Sequence, residues 1–241
     1  IRYFNIPYDY PTMVSVYALN LNSPEEEPSS ESLMVESGQT LYMSEDNIYL
    51  TYTEYINEYE LRMEITKDIL DDKLTDSDRA LIDKIKATDN DVLSQYEKES
   101  KIMQVYYDYL NYLSYEEQES LNEEINEKVQ DTLDSYEHLE YTVINKIHVS
   151  GMDIEVGGSG KVPGHIMNQF SMDENNGVFR IATTINARWS YSYKGESTST
   201  KSTNGVYTLD ENLKMVGKLE DLAEDESIYS TRFIGDRLYM V

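Results

Sequence analysis

Two groups of residues in this chain have types and spacing that suit chemistry. The first is Asp173-Glu174-Asn175-Asn176-Gly177, which sets side-chain oxygens at alternate positions. Asp173 and Asn175 are therefore candidate ligands for a hard cation such as Ca²⁺. The loop is not an EF-hand, because Thr184 stands where a bidentate Glu is required. The same composition also makes good β-turns, through Asx hydrogen bonds and tolerance of positive φ. Glu45-Asp46-Asn47 and Asp210-Glu211-Asn212 repeat the theme. That recurrence favours turns over ion sites. The second group is Arg188, Trp189 and Tyr191, with Tyr193 following; Trp189 is the sole tryptophan. An aromatic ladder beside an arginine binds a sugar or a peptide by stacking and cation–π contact, or it packs across strands.

Other chemistry is thinly represented. The three histidines, His138, His148 and His165, lack the short spacing of a metal site. His148 and His165 converge only if neighbouring strands bring them together, and ordinary surface or core roles are the plainer reading. Ser159 lies in Gly157-Gly158-Ser159-Gly160, which reads as a flexible link and not as a strained nucleophile elbow. There is no phosphate-cradling Gly-rich loop ending in Lys-Ser/Thr. There is no Cys, which removes disulfides, thiolate zinc sites and thiol nucleophiles. The sequence thus assigns no catalytic residue and no cofactor beyond the Ca²⁺ option.

The elements that would position these residues are mostly short strands. Val14, Val16 and Ala18 alternate with Ser15, Tyr17 and Leu19, the period of a half-buried strand. An acidic, proline-bearing loop at 23–30 leads to a strand at 32–35, then a hairpin of 40–43 with 48–52. From about 55 to 136 Gly and Pro vanish and apolar residues recur at helical spacing. Four helices are expected at 55–71, 77–87, 91–113 and 115–136, in a small antiparallel bundle. Ser114-Tyr115-Glu116-Glu117 is a capping box. One stripe is Leu93, Tyr96, Met103, Tyr106, Leu110 and Leu113; another is Leu121, Ile125, Val129, Leu133 and Tyr136. Such stripes usually form the bundle's own core, although a partner-binding subdomain is the sharper alternative. Strands return at 141–148 and 152–156, followed by a hairpin of 169–173 with 178–184 around Asn-Gly. A pair of 187–193 with 205–209 comes next, across a Ser/Thr-rich stretch, and the last strands fall at 213–219, 228–233 and 238–241.

The strands repeat. Val16-Tyr17-Ala18-Leu19 is followed 32 residues later by Ile48-Tyr49-Leu50, and Val206-Tyr207-Thr208-Leu209 is followed at the same distance by Leu238-Tyr239-Met240. A looser copy runs from Ile147-His148-Val149 to Val178-Phe179-Arg180-Ile181. Repeated short strands point to a radial β architecture. The spacing reads as a distance inside one four-stranded blade. Without the helical block, about 160 residues remain, or about three blades of a β-propeller. The expected fold is therefore mainly β: a partial β-propeller of antiparallel strands at 1–54 and 138–241, with a helical insertion at 55–137.

Composition narrows the partners. The net charge of −26 argues against binding nucleic acid and against docking on anionic lipid. No apolar run approaches the roughly 20 residues of a membrane span. The chain opens at Ile1 rather than Met and closes on an apolar strand. It reads as a segment of a longer protein.

One stretch carries a resemblance. It begins Val162-Pro163-Gly164-His165-Ile166-Met167-Asn168-Gln169-Phe170-Ser171-Met172-Asp173-Glu174 and continues to Thr184. With Val206-Tyr207-Thr208-Leu209-Asp210, residues 216–223, residues 228–241 and the N-terminal Ser44-Glu45-Asp46-Asn47-Ile48-Tyr49-Leu50, it resembles a family of secreted prokaryotic proteins. Their C-terminal β-propeller domain is distantly related to WD40 repeats. The helical block is similar to insertions in some archaeal members. The resemblance implies an extracytoplasmic, archaeal protein in which further propeller follows Val241, and it implies no catalytic motif. The expectation is a non-catalytic scaffold or binding module for a protein or surface polymer. The alternatives are a hydrolase with its site at the propeller channel and a Ca²⁺-binding structural component of the cell envelope.

Overall fold

A computed structural model describes residues 2–4, 10–38, 40–191 and 197–241, with backbone alone at 189–191 and 197–198. The chain divides into two compact units. One comprises Ile1–Tyr55, His138–Ser190 and Ser199–Val241, and the other Ile56–Glu137 and Tyr191–Thr198.

The first unit is built from antiparallel sheets. In the first sheet β2 (Pro11–Ala18) pairs with β3 (Ser29–Glu36), and β1 (Arg2–Tyr3) adds in parallel on the far side of β3. The second is a four-stranded meander of β4 (Thr40–Met43), β5 (Asn47–Tyr55), β6 (Glu140–Ser150) and β7 (Asp153–Pro163). The third contains β8 (Met172–Asn175), β9 (Val178–Ile185), β12 (Thr203–Leu209) and β13 (Met215–Leu222). A small hairpin of β10 (Trp189–Tyr191) and β11 (Ser197–Ser199) lies between β9 and β12 in the chain. The fourth sheet is β14 (Thr231–Ile234) with β15 (Arg237–Met240).

Burial explains the order of the sheets. Residues 47–52 of β5 are buried without a break, as in a strand covered on both faces. Ile48 and Leu50 share a core with Phe4, Leu33 and Val35 of the first sheet and Ile147 and Ile154 of the second. Tyr49, on the opposite face, joins Ile144 and Val162 in a core with Met172, Phe179, Ile181, Tyr207 and Leu209 of the third sheet. The Tyr49 and Phe179 rings stack at 4.2 Å between centroids. The second sheet is thus packed between the first and the third, each large buried side chain contributing about 1.5–3 kcal/mol.

This arrangement corrects the meaning of the repeat. Val16-Tyr17-Ala18 lies in β2 and Ile48-Tyr49-Leu50 in β5, which belong to different sheets. The pairs β12 and β15, and β6 and β9, also lie in successive sheets. The 32-residue spacing therefore runs from one sheet to the next and is not internal to a four-stranded unit. The signal repeats because β5 and β9 occupy the same second place in their meanders, while β6 and β12 occupy the third.

Two further expectations change. Gly157-Gly158-Ser159-Gly160 is no flexible break but the middle of β7, where the pairing with β6 slips between Asn145 and Ile147. A bulge with close backbone approach is what glycine supplies here. A Cβ on Gly157 would lie 2.9 Å from the Lys146 carbonyl oxygen, and one on Gly160 would overlap the carbonyl of Leu213. Second, residues 205–209 pair with β9, in register Tyr207↔Ile181, and not with 187–193. The Ser/Thr-rich stretch contributes β11 to its own hairpin, which leaves the apolar β12 to fill the sheet interior. The Asn-Gly turn is as expected: Asn176 and Gly177 have φ of 53° and 74°, both positive, as a two-residue type I′ hairpin demands.

The second unit holds α1 (Glu58–Lys73), α2 (Asp76–Ala87), α3 (Gln95–Tyr112) and α4 (Tyr115–Ser135). Thr75, Ser94 and Ser114 each form a capping box, and Asn57 caps α1. α1 packs on α4 and α2 on α3. Tyr106 Oη donates to Asp71 Oδ1 at 2.6 Å, which ties α3 to α1. Leu121, Ile125, Val129 and Leu133 are buried as the α4 stripe requires. In the α3 stripe Tyr106 is buried and Leu93, Met103, Leu110 and Leu113 are half-buried, with one exception. Tyr96, in the exposed first turn, is 80% accessible, whereas Val105 and Lys98 turn inward. The Lys98 ammonium donates to Asn90 Oδ1 at 2.7 Å. Among the described residues no helix is long and apolar enough to cross a membrane.

Candidate functional site

Each of β4, β8 and β14 is the first strand of its sheet, and each lies at that sheet's edge. A 3-10 turn, Gln169–Ser171, leads into β8 and touches both β4 and β14. The chain forms the turn because the Asn168 side chain accepts the Phe170 N–H at 2.9 Å. Thr231 Oγ1 then donates to the Phe170 carbonyl at 2.9 Å, fastening β14 to the turn. Together these elements enclose an open cleft of about 440 Å³. β4 contributes Leu41, Tyr42 and Met43; the turn and β8 contribute Gln169, Phe170, Met172 and Asp173; β14 contributes Arg232 and Phe233.

The cleft combines aromatic faces with the guanidinium of Arg232, and a second guanidinium, that of Arg180, lies against its lining residue Phe233. Arg232 lies 3.9 Å over the Phe170 ring, and Arg180 lies 5.1 Å over the Phe233 ring. Arg180 also holds Asp173 through Nε at 2.9 Å and through Nη2, and its Nη1 donates to the Gly235 carbonyl at 2.7 Å. It therefore joins the third sheet to the fourth. Beside the cleft, Glu174 binds the second sheet to the third. Ser44 Oγ donates to Glu174 Oε2 at 2.5 Å, Asn47 Nδ2 reaches both carboxylate oxygens at 3.0 Å, and the Glu174 N–H donates to Tyr42 Oη at 3.0 Å. Burial pushes the Glu174 carboxyl up, but the bonds from Ser44 and Asn47 outweigh it and hold the group below the usual carboxylate range. Burial also pushes the Tyr49 hydroxyl well above the usual phenol range, and the Glu174 charge adds to that shift.

A second polar cluster lies at the start of β6. Glu140 is buried and accepts the Asn186 N–H at 2.6 Å and Asn186 Nδ2 at 3.1 Å, with His165 Nδ1 3.4 Å from Oε2. Burial raises this carboxyl, yet the bonds from His165 and Asn186 prevail and lower it. The cluster clamps β6, the β7–β8 connection and the end of β9.

The candidates named from sequence fall as follows. Asp173 is ion-paired with Arg180, so a cation there would have to displace a guanidinium. Asn175 pairs with Val178 immediately before the Asn176-Gly177 turn. No group of three metal-capable side chains forms among the described residues. Arg188 bonds through its backbone to Thr200 at 2.8 and 2.9 Å, while the side chains of Trp189 and Tyr191, and all of Tyr193, lie outside the described residues. His148 and His165 do not converge. They lie beside Asn47 and Glu140, toward opposite ends of β6. Ser159 Oγ donates to Asn145 Oδ1 at 2.8 Å. Sequence reasoning missed Phe170, Arg232 and Phe233, because Phe170 is far in the chain from the adjacent pair Arg232-Phe233. Only the placing of first strands side by side unites them, and no local spacing records it.

Antiparallel meanders packed face to face, with their first strands gathered along one edge, are the architecture of a β-propeller. Residues 1–241 match the family described as "Beta propeller domain", and the chain belongs to that family. It is 34% identical over 235 residues to an uncharacterized protein of Methanocaldococcus jannaschii, covering 97% of this chain and 35% of that protein. It is 32% identical over 243 residues to an uncharacterized protein of Archaeoglobus fulgidus, covering 98% of this chain and 35% of that protein. The chain thus spans about a third of the length of these curated relatives. No solved structure matches it.

Proposed function

We propose that this chain is a non-catalytic propeller scaffold whose binding surface is the cleft between β4, the 3-10 turn and β14. Each four-stranded meander corresponds to one blade. β2 and β3 form the third and fourth strands of a preceding blade, and β14 and β15 the first two of a following one, which amounts to about three blades' worth of strands. On this reading the cleft faces the propeller channel. The partner is a protein or surface polymer, and the sequence resemblance supports an extracytoplasmic setting.

The observation that carries the reading is the cleft itself. β4 and the 3-10 turn present exposed apolar groups there (Leu41, Met43 and Phe170) beside an arginine that β14 stacks on Phe170. Its one lining carboxylate, Asp173, is already paired with Arg180, which favours recognition over acid–base chemistry. A fragment screen by ligand-observed NMR tests this. Hits should compete for one site and weaken in Phe170→Ala. Chromogenic ester, phosphoester, glycoside and peptide substrates should show no turnover traceable to the chain. Turnover abolished by His165→Ala or Glu140→Gln would support the hydrolase alternative and overturn this one.

A further inference from the structure

Arg232 is the unusual group in the cleft. Acidic residues outnumber basic ones 46 to 20 in this chain, yet no carboxylate pairs with Arg232 among the described residues. Among the described residues its one polar bond runs from Nη1 to the Thr231 carbonyl at 2.8 Å. The Phe170 ring supports the guanidinium plane at 3.9 Å, so the group is held in place while most of its N–H donors remain uncommitted. A guanidinium fixed by stacking, with free donors in a planar fork, is a carboxylate receptor. The ring on which it rests is itself 47% exposed, and Leu41 and Met43 add 50% and 56% exposed apolar surface to the same cleft.

The ligand must therefore place a carboxylate next to an apolar group. In an extended peptide, adjacent side chains point to opposite faces. An acidic side chain and the apolar residue beside it thus point apart, and an acidic residue on the same face stands two positions, about 6.6 Å, away, farther than the 3.9 Å between the Arg232 guanidinium and the Phe170 ring. A C-terminal residue instead carries its carboxylate and its side chain on the same Cα. The outer edge of β4, which pairs with β5 alone among the described residues, offers main-chain groups to such a peptide as an added strand. Resting on the cleft's role as a binding surface, we propose that it receives the C-terminal residue of a peptide or protein, with Arg232 taking the carboxylate and Phe170, Leu41 and Met43 the apolar side chain.

The test is fluorescence anisotropy with N-terminally labelled hexapeptides on the whole protein. One peptide ends in Leu with a free carboxylate, a second is its C-terminal amide, and a third is the amide with Glu before Leu. The free acid should bind. Amidation should weaken it roughly ten- to hundredfold, the range set by a hydrogen bond to a charged group, and the internal Glu should not restore binding. Arg232→Gln should produce a similar loss, and Arg232→Lys a smaller one, with an unchanged melting temperature because Arg232 is exposed. Equal binding of acid and amide, restoration by the internal Glu, no binding of any peptide, or indifference to Arg232→Gln overturns the inference. Fragments of other chemistry that bind and depend on Phe170 would leave the cleft's binding role standing while this ligand class falls. If Phe170→Ala changes no binding at all, both fail.

Discussion

Glu140 shows how one residue ties the β unit together. Its carboxylate is buried and receives two bonds from Asn186, with His165 alongside. Its pKa in the folded protein is below the unfolded value of about 4.3. A depressed carboxylate adds stability that is fully present above the unfolded pKa and is lost as pH falls through the folded value. Glu140→Gln should therefore cost about 1–3 kcal/mol at neutral pH, because the Asn186 donors lose a charged acceptor. The difference from wild type should begin to shrink as pH falls below the unfolded value of about 4.3 and should be smallest below the folded value, where the wild-type carboxyl is itself protonated. Thermal melts at several pH values check both parts, and a constant difference across the acid range would exclude the ionic role. Gly160 illustrates the opposite demand, for the absence of an atom. Gly160→Ala drives a methyl into the Leu213 carbonyl and should cost about 1–3 kcal/mol, which is read as a lowered melting temperature.

At the scale of elements, the helical unit joins β5 to β6, and these two strands are already antiparallel neighbours with Tyr55 opposite Glu140. Replacing residues 56–139 by an Asn-Gly turn should therefore close an ordinary hairpin and leave the sheets folded. Far-UV circular dichroism of the shortened protein should lose its helical minima and keep a cooperative melt; loss of cooperativity would mean that the helical unit is needed for the sheets. What the sequence revealed at this scale follows from locality. The Ser114 box, the α4 stripe and the Asn176-Gly177 turn are each written within a few consecutive residues, and each forms as read apart from Tyr136, which caps α4 and is exposed. Lys98 was missed from the inward face of α3 because it is charged, and a composition pattern assigns charge to solvent. Its inward turn depends on Asn90, which lies outside the helix. The glycines of β7 read as a linker because the carbonyls they approach, Lys146 on the neighbouring strand and Leu213 in the β12–β13 turn, stand apart from them in the chain.

For the whole molecule, the repeat foretold a radial β fold, and membership of the β-propeller family agrees. It misled about what repeats. The echo joins a strand of one sheet to a strand of the next, as β6 to β9, both central in their four-stranded sheets, while the short first strands that build the cleft fall outside the repeat. The cleft residues were hidden for the same reason: Phe170 and Arg232 meet only when successive sheets are stacked. The central claim, that the gathered first strands form the binding surface, is tested most directly by amide chemical-shift mapping. Backbone amides of the intact protein are followed while a cleft-binding fragment or the free-acid peptide is added. The account predicts shifts concentrated in β4, in residues 169–173 and in β14, and abolished by Phe170→Ala. Shifts centred instead on Glu140, His165 and Asn186, or confined to the helical unit, would contradict it.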